Sequence, residues 1–378
     1  MMLDKYIFLL GREPELSIAE LRSVFSEIEV FSQFAIIVAD ESKVQAIRES
    51  LGGTIKIAKI LDASVKKEDL LDFVTAKIRE KAMPWKKLRT AIDTFVPALT
   101  SLIFKAKDIL KNEGCSIRVV QHEWWRVKTA TTLHEKLISQ GIELMLVPTP
   151  NKEGYILWET IWVQDIDAYT QRDMERNRSM VVGMMPPKIA QIMLNLATKG
   201  NFQTQIWDPF CGLGTTIIEA WNAGYRKLIA SDISEEMVKM TNTNIANIKG
   251  ECAVFHYDAR KIDSHELQDN TCIVTEWMLG KNFNHTTISH SSVLQERKEL
   301  SLLYSEFLNT AWKNNNINWI VFCMPFWNVR QDTLFMPEIS ELTDKWSITP
   351  LCKTKKRYLQ HMRPGQCVGR EIIMLNRK

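Results

Sequence analysis

Apolar and polar positions alternate along the chain in two registers. Residues 5–10 (KYIFLL), 35–39 (AIIVA) and 53–58 carry short apolar runs that predict strands, whereas 15–25 sets Leu16, Ile18, Leu21 and Phe25 at helical spacing behind Ser17. Residues 67–81 predict an amphipathic helix. A helix over 102–112, a strand over 116–120, a helix over 131–139 and a strand over 143–147 follow, punctuated by Gly114 and Gly141. The order helix, glycine, strand thus occurs twice and predicts a second small α+β unit. PTPNKEG at 148–154 is turn-rich and reads as a boundary. Beyond it YILWETIWVQ reads as a strand, and DIDAYTQRDMERNRS, with poor periodicity, as a linker. Pro186 and Pro187 then open a helix with Ile189, Ile192, Met193 and Leu196 on one side, proline being tolerated where amides have no helical partner anyway. From there strands (205–207, 227–231, 254–257, 271–274, 318–324) alternate with helices (215–223, 235–248, 300–313). Such alternation predicts a parallel sheet covered by helices on both faces.

The first strand of that alternating half runs into DPFCGLGT, residues 208–215, and then a helix. Gly212 and Gly214 let backbone approach a ligand, and the helix start behind them offers unpaired amides. Glycine turns are common in ordinary structure, but the leading Asp-Pro-Phe narrows the choice. Dinucleotide sites begin with glycine and place three glycines around a pyrophosphate. An acid at the strand end suits the positive amino or sulfonium region of S-adenosylmethionine instead. The second strand ends at Asp232, placed for ribose hydroxyls, and the third at Asp258, placed for an adenine amine. Each acid alone reads equally well as a solvated loop or a helix cap; three at consecutive strand ends predict a nucleoside cofactor.

Composition adds limits more than direction. The 378 residues suffice for two or three domains, 45% are hydrophobic, and a net charge of +3 supplies no global field for nucleic acid. Seven scattered cysteines without a Cys-x-x-Cys pair read as reduced thiols, and the seven histidines show no metal-ligand spacing, so no metal is expected. The N-terminal apolar run is broken by Gly11, Arg12 and Glu13 before it reaches the length of a signal peptide or membrane span, so a cytoplasmic location is expected.

QDIDAYTQRD, MMPPKIAQIMLNLA, DPFCGLGTTIIEAWNAG and RPGQCVGREIIML together resemble the THUMP-domain tRNA guanine-N2 methyltransferases, and GREPELSIAEL and TATTLHEKLISQGIEL resemble that family's N-terminal and THUMP modules more weakly. The resemblance implies a doubly wound, Rossmann-like class I methyltransferase domain over 186–378. Before it come an N-terminal ferredoxin-like α+β module (1–60), a THUMP-like RNA-binding domain (61–150) and a linker (151–185). It implies methyl transfer from S-adenosylmethionine to the N2 amine of a guanosine in tRNA, near position 10, and, as some relatives require, a small activator subunit. Asp208, Phe210, Gly212, Gly214, Thr215, Asp232, Ile233, Asp258 and Ala259 would hold the cofactor. Arg172 and Asp173 match an Arg-Asp pair of the family's linker, while the expected Arg-Pro stands here as Arg176-Asn177.

The fourth strand end departs from the family. Relatives carry Thr-Glu-Pro-Tyr before Leu-Gly, and this chain has Thr275-Glu276-Trp277-Met278. Glu276 matches the acid that receives the target amine. An aniline-like nitrogen is a poor nucleophile, so a carboxylate that orients it and takes its proton supplies much of the rate. Trp277 is the candidate to stack on the flipped base, a contact worth roughly 1–3 kcal/mol in single-strand binding. A ring turned into the pocket would make the site a working variant; a ring buried in the core would suggest a silent one.

Lys355, Lys356, Arg357 and Arg363, around Tyr358 and His361, suit phosphate contacts or, equally, an exposed hairpin; Arg172 joins them as an RNA-facing candidate. A second basic excess spans 105–136. Two other functions share the catalytic half: an RNA-binding protein that retains S-adenosylmethionine without transfer, and a DNA amino-methyltransferase, which leaves residues 1–150 unexplained.

Overall fold

The computed structural model describes residues 3–83, 85–120, 126–149, 151, 153–175, 185–261, 267–281, 283–352 and 358–378. Two compact units divide the chain. The first comprises Met1–Pro14, Phe25–Glu49 and Thr54–Gln171, and the second Glu15–Val24, Ser50–Gly53 and Arg172–Lys378.

The first unit opens with β1 (Asp4–Leu10); the helix that follows, α1 (Pro14–Val24), lies almost wholly in the second. Then come β2 (Ile28–Phe31), β3 (Phe34–Ala39), α2 (Glu41–Ile47), β4 (Thr54–Val65), α3 (Leu70–Lys81), β5 (Leu88–Thr94), α4 (Ser101–Asn112), β6 (Ile117–Val119), α5 (Thr129–His134), α6 (Leu137–Gln140), β7 (Gly141–Pro148) and β8 (Tyr155–Val163). Its eight strands form one sheet in the order β2-β3-β1-β4-β8-β7-β5-β6. The boundary expected at residue 60 therefore falls inside β4, which pairs with β1 on one side and β8 on the other. A strand hydrogen-bonded on both edges cannot be cut between two modules. Helices α3 and α4 pack Val74, Ile78, Ile103 and Leu110 over Ile92, Leu144 and Leu157.

Inside this unit Lys56 is 1% exposed and its Nζ donates to Asp93 Oδ2 (3.0 Å), Glu143 Oε1 (2.7 Å) and the Val127 carbonyl (2.7 Å). Burial by itself would lower the lysine's pKa; the two carboxylates overcome it and hold the ammonium above its ordinary value.

The polar run expected to be linker is helical as α7 (Ile166–Glu175), started by Asp165 Oδ1, which accepts from the amides of Asp167 (3.1 Å) and Ala168 (2.9 Å). The second unit continues through α8 (Pro187–Thr198), β9 (Ile206–Asp208), α9 (Thr215–Ala223), β10 (Leu228–Asp232), α10 (Glu235–Asn247), β11 (Ala253–His256), β12 (Thr271–Glu276), α11 (His290–Lys313), β13 (Ile317–Val329), β14 (Asp332–Phe335), α12 (Ile339–Leu342), β15 (Trp346–Ile348), β16 (Leu359–His361) and β17 (Val368–Arg377). Its sheet runs β11-β10-β9-β12-β13-β17-β15, with β14 added on β13 and β16 on β17. The first five strands are mutually parallel and β17 is antiparallel to β13. Side chains alternate between two cores. Ile206, Cys272, Val274 and Val321 meet α8 and α9 on one face, and Trp207, Ile273, Ile320 and Phe322 meet α11 on the other.

Helix α1 completes the first of these faces with Leu16 and Ala19. Its Glu20, fully buried, accepts from the amides of Gly52 (2.9 Å) and Gly53 (2.8 Å) and from Asn195 Nδ2 of α8 (2.7 Å). Burial nevertheless outweighs these bonds and pushes the carboxyl up to about 7.

Candidate active site

Because β9, β10, β11 and β12 are parallel, their C-terminal ends share one edge of the sheet, where open α/β folds bind ligands. A cavity of about 840 Å³ opens there, and Asp208, Phe210, Gly212, Thr215, Asp232, Ile233, Asp258, Ala259, Glu276 and Trp277 line it. Of the expected cofactor residues only Gly214 stays off the wall, and it shapes the turn from behind.

The glycine turn is built for close approach. Gly212 (φ +51°) and Gly214 (φ +80°) both occupy the left-handed region, which side chains disfavour. Gly214 precedes the first turn of α9, and the Gly212 amide donates to Asp232 Oδ2 (2.9 Å). Asp232 also accepts from the Ser234 amide (2.9 Å) on Oδ1, so this acid braces the turn as well as facing the cavity. Ser234 caps α10 through the Met237 amide (3.4 Å), and Ile233 stands 62% exposed beside it, an apolar surface suited to a nucleoside.

Asp208 is 2% exposed, and Thr275 Oγ1 donates to it across the sheet (2.6 Å). Burial, the largest influence, pushes its pKa up to about 7 against the hydrogen bonds that favour the charged form. A cationic ligand group beside it would restore the charge. Asp258 is the opposite case: Arg260 donates Nε to Oδ1 (2.9 Å) and a terminal nitrogen to Oδ2 (2.8 Å), holding the carboxyl below its usual range. Glycine turn, helix-start amides, bracing acid and exposed apolar side chain fit S-adenosylmethionine.

The substrate end is set by the turn after β12. Trp277 does not turn toward a base. It is 1% exposed, its ring stacked on Phe322 (centroids 3.8 Å apart, planes at 16°), tilted on Tyr304 (4.2 Å) and edge-on to Phe307 (5.6 Å). The expectation of a stacking tryptophan is thus corrected, because a ready-made aromatic slot between β13 and α11 takes the ring. Burial does not empty the site. Tyr304 Oη donates to the Met278 carbonyl (2.6 Å), Gly280 sits at φ +85° against Glu296, and the Lys281 amide donates to Glu296 Oε1 (3.1 Å). These contacts fix the turn without a proline. Met278, 55% exposed, and the half-buried Phe283 line the cavity in its place.

Glu276 itself is ion-paired, through Oε1, with Nε of Arg370 on β17. Arg370 went unrecognised in the sequence, although it lies in RPGQCVGREIIML. The contact spans 94 positions and follows from the register of β13 between β12 and β17, which local pattern does not reveal.

The RNA-facing candidates fare differently. Arg172 lays its guanidinium on the fully buried Glu219 (both contacts 3.2 Å), so its charge answers a carboxylate inside the second unit. Arg363 is half-buried in the turn between β16 and β17. Tyr358 donates to Glu338 Oε2 (2.9 Å) and packs on the core. Lys355, Lys356 and Arg357 lie outside the described residues, as do Trp124 and Trp125.

Residues 176–328, the span holding this cavity's glycine turn and its four strand ends, match the UPF0020 family of RMKL-like methyltransferase domains. The second unit carries a methyltransferase domain. Across 327 residues the chain is 26% identical to a tRNA (guanine(10)-N2)-dimethyltransferase of Methanothermobacter thermautotrophicus, covering 82% of this chain and 85% of that one. The crystal structure of TrmN from Thermus thermophilus shares the fold over 100% of both chains, with a TM-score of 0.50 at 14% identity. Among the described residues no helix of this methyltransferase is long and apolar enough to cross a membrane, and no cluster suited to a metal ion is present.

Proposed function

We propose that the protein transfers the methyl group of S-adenosylmethionine to the exocyclic N2 amine of a guanosine in tRNA, near position 10, in the cytoplasm. One observation carries this reading: Glu276 lines the same cavity as the glycine turn, Asp232 and Asp258, so an acceptor for an amine adjoins a site for the methyl donor. The name of the archaeal relative supports the nucleotide.

S-adenosylmethionine, when bound, supplies a methyl group made electrophilic by its sulfonium. The chain's own residues do the rest. Asp232 and the α9 amides orient ribose and carboxylate, and Asp208 faces positive charge. Glu276 accepts a hydrogen bond from N2, which lets the nitrogen pyramidalise in line with the methyl group. Glu276 would take the nitrogen's proton as the amine receives the methyl group and pass it on to water. In the first unit, Trp85, 85% exposed beside the exposed Lys86 and Lys87, offers a ring and charges suited to RNA.

Tritiated S-adenosylmethionine incubated with total tRNA from a strain lacking the protein tests the reading. Label should appear as N2-methylguanosine, and Glu276→Gln should cut its rate by roughly 100- to 10,000-fold, to a residual level still measurable at high enzyme concentration, while cofactor affinity is retained. Label in DNA, or tight cofactor binding with no label in tRNA, would overturn it.

A further inference from the structure

We propose that Arg370 is a positioning residue for methyl transfer, holding the Glu276 carboxylate so that Oε2 faces the target amine. The proposal rests on the transfer reaction above. The turn after Glu276 is fixed through its backbone by Trp277, Tyr304 and Glu296, whereas the Glu276 carboxylate is ion-paired with Arg370. A glutamate has one more rotatable bond than an aspartate, so a fixed backbone leaves its carboxylate several rotamers. Arg370 removes that freedom. Its Nε takes Oε1, and both residues line the cavity, Arg370 at 3% exposure.

Stability alone is a poor account of this pair. Desolvating two charges offsets most of their attraction, and apolar replacements of buried pairs are often neutral or stabilising. What the pair does supply is direction: with Oε1 committed, Oε2 becomes the acceptor. β17 reaches this position through Gly369, where a Cβ would lie 2.2 Å from the Phe326 ring, so glycine lets the strand close on β13 just before Arg370. Among the described residues, Cys323 lies on β13 between them, Tyr304 faces Glu276 from α11, and His361 on β16 stands opposite Arg370 in register.

The test compares wild type, Arg370→Met, Arg370→Lys, Glu276→Gln and the double variant Arg370→Met/Glu276→Gln in the full chain, with tRNA and S-adenosylmethionine. Arg370→Met should lower kcat by roughly 100-fold, the penalty of misplacing a reacting group by about 1 Å. KM for tRNA and the calorimetric Kd of the cofactor should stay within about twofold, because neither ligand's binding is addressed. Arg370→Lys, keeping a donor and a charge, should recover about tenfold of the loss. In the Glu276→Gln background Arg370→Met should cost less than about twofold more. The same fractional loss in both backgrounds, or an unchanged kcat in folded Arg370→Met, would overturn the proposal. If Arg370→Met does not fold, the lysine variant and the double variant, which removes both charges together, carry the comparison. If wild type labels no tRNA, the transfer reading fails by itself. Crystal structures then decide: a Glu276 carboxylate in the same place in wild type and Arg370→Lys or Arg370→Met overturns positioning, and a displaced one supports it.

Discussion

Replacing Trp277 by alanine separates an anchor from a stacking residue. As an anchor the ring fills a slot bounded by Phe322, Tyr304 and Phe307 and is 1% exposed. Removing a buried Trp costs about 3–5 kcal/mol in lost transfer energy and residual cavity. Each aromatic pair adds about 0.5–1.5 kcal/mol beyond burial, and the stack on Phe322 is the closest of the three. The upper half of the range is therefore expected, a large share of the roughly 5–15 kcal/mol that holds a domain together. Phenylalanine keeps a ring in the slot and discards an indole N–H that has no acceptor among the described residues, a group costing about 1–3 kcal/mol when buried unmet. Trp277→Phe should thus lose about 1 kcal/mol or less. Urea unfolding followed by far-UV circular dichroism, and by the fluorescence of a probe in the second unit, measures both variants. A Trp277→Ala protein with an unchanged midpoint but a tRNA KM raised tenfold would refute the anchor, because only a ring on the base gives that pattern.

Further predictions address charge. Lys56→Met should destabilise the first unit by about 3–5 kcal/mol, since Glu143 loses the cation that answers its buried charge and Asp93 keeps only Arg126; denaturant titration reads the loss, and a change under 1 kcal/mol would refute it. Asp208, pushed up to about 7 by burial, is mostly protonated below neutrality, and the carboxylate is the form that meets a cation. Cofactor affinity should therefore rise up to about tenfold per pH unit between pH 5.5 and 7, with proton release. Calorimetry in buffers of different ionisation heat tests this, and a flat profile would sink it. Glu20 also sits at about 7 when folded, so between about 4.5 and 7 the folded protein holds a proton the unfolded chain has lost. Its contribution to the second unit, on the order of 3 kcal/mol, is present below about pH 4.5 and lost as pH rises through 7. Glu20→Ala should flatten that slope, as thermal melts across pH would show.

The parallel sheet and its four acidic strand ends were legible because each signal is local: an apolar run, a glycine turn, an acid at a fixed offset. The same holds for α9 and α10, whose caps and periodicity lie within a dozen residues. What escaped is non-local or weakly patterned. Helix α7 is polar and unremarkable in composition, and its Arg172 finds its partner Glu219 at a separation of 47 residues. The short strands β14, β15 and β16 have three or four residues each and exist because β13 and β17 offer unpaired edges. Trp277 reads as a base-stacking ring from its position after the acid. Only the slot formed by Phe322, Tyr304 and Phe307, which lie 27 to 45 residues further on, decides otherwise. The first unit's single sheet was likewise hidden, since an apolar run reveals a strand but not which strand lies beside it.

The placing of α1 has a consequence in time. Glu20 bonds Asn195 at a separation of 175 residues. At synthesis rates of roughly 5–20 residues per second, about 10–35 s pass between the two leaving the ribosome's active centre. Through that interval Leu16, Ala19 and Glu20 have no α8 to meet. The helix of earliest origin in the second unit must therefore wait, exposed, until α8 has been made before it can dock.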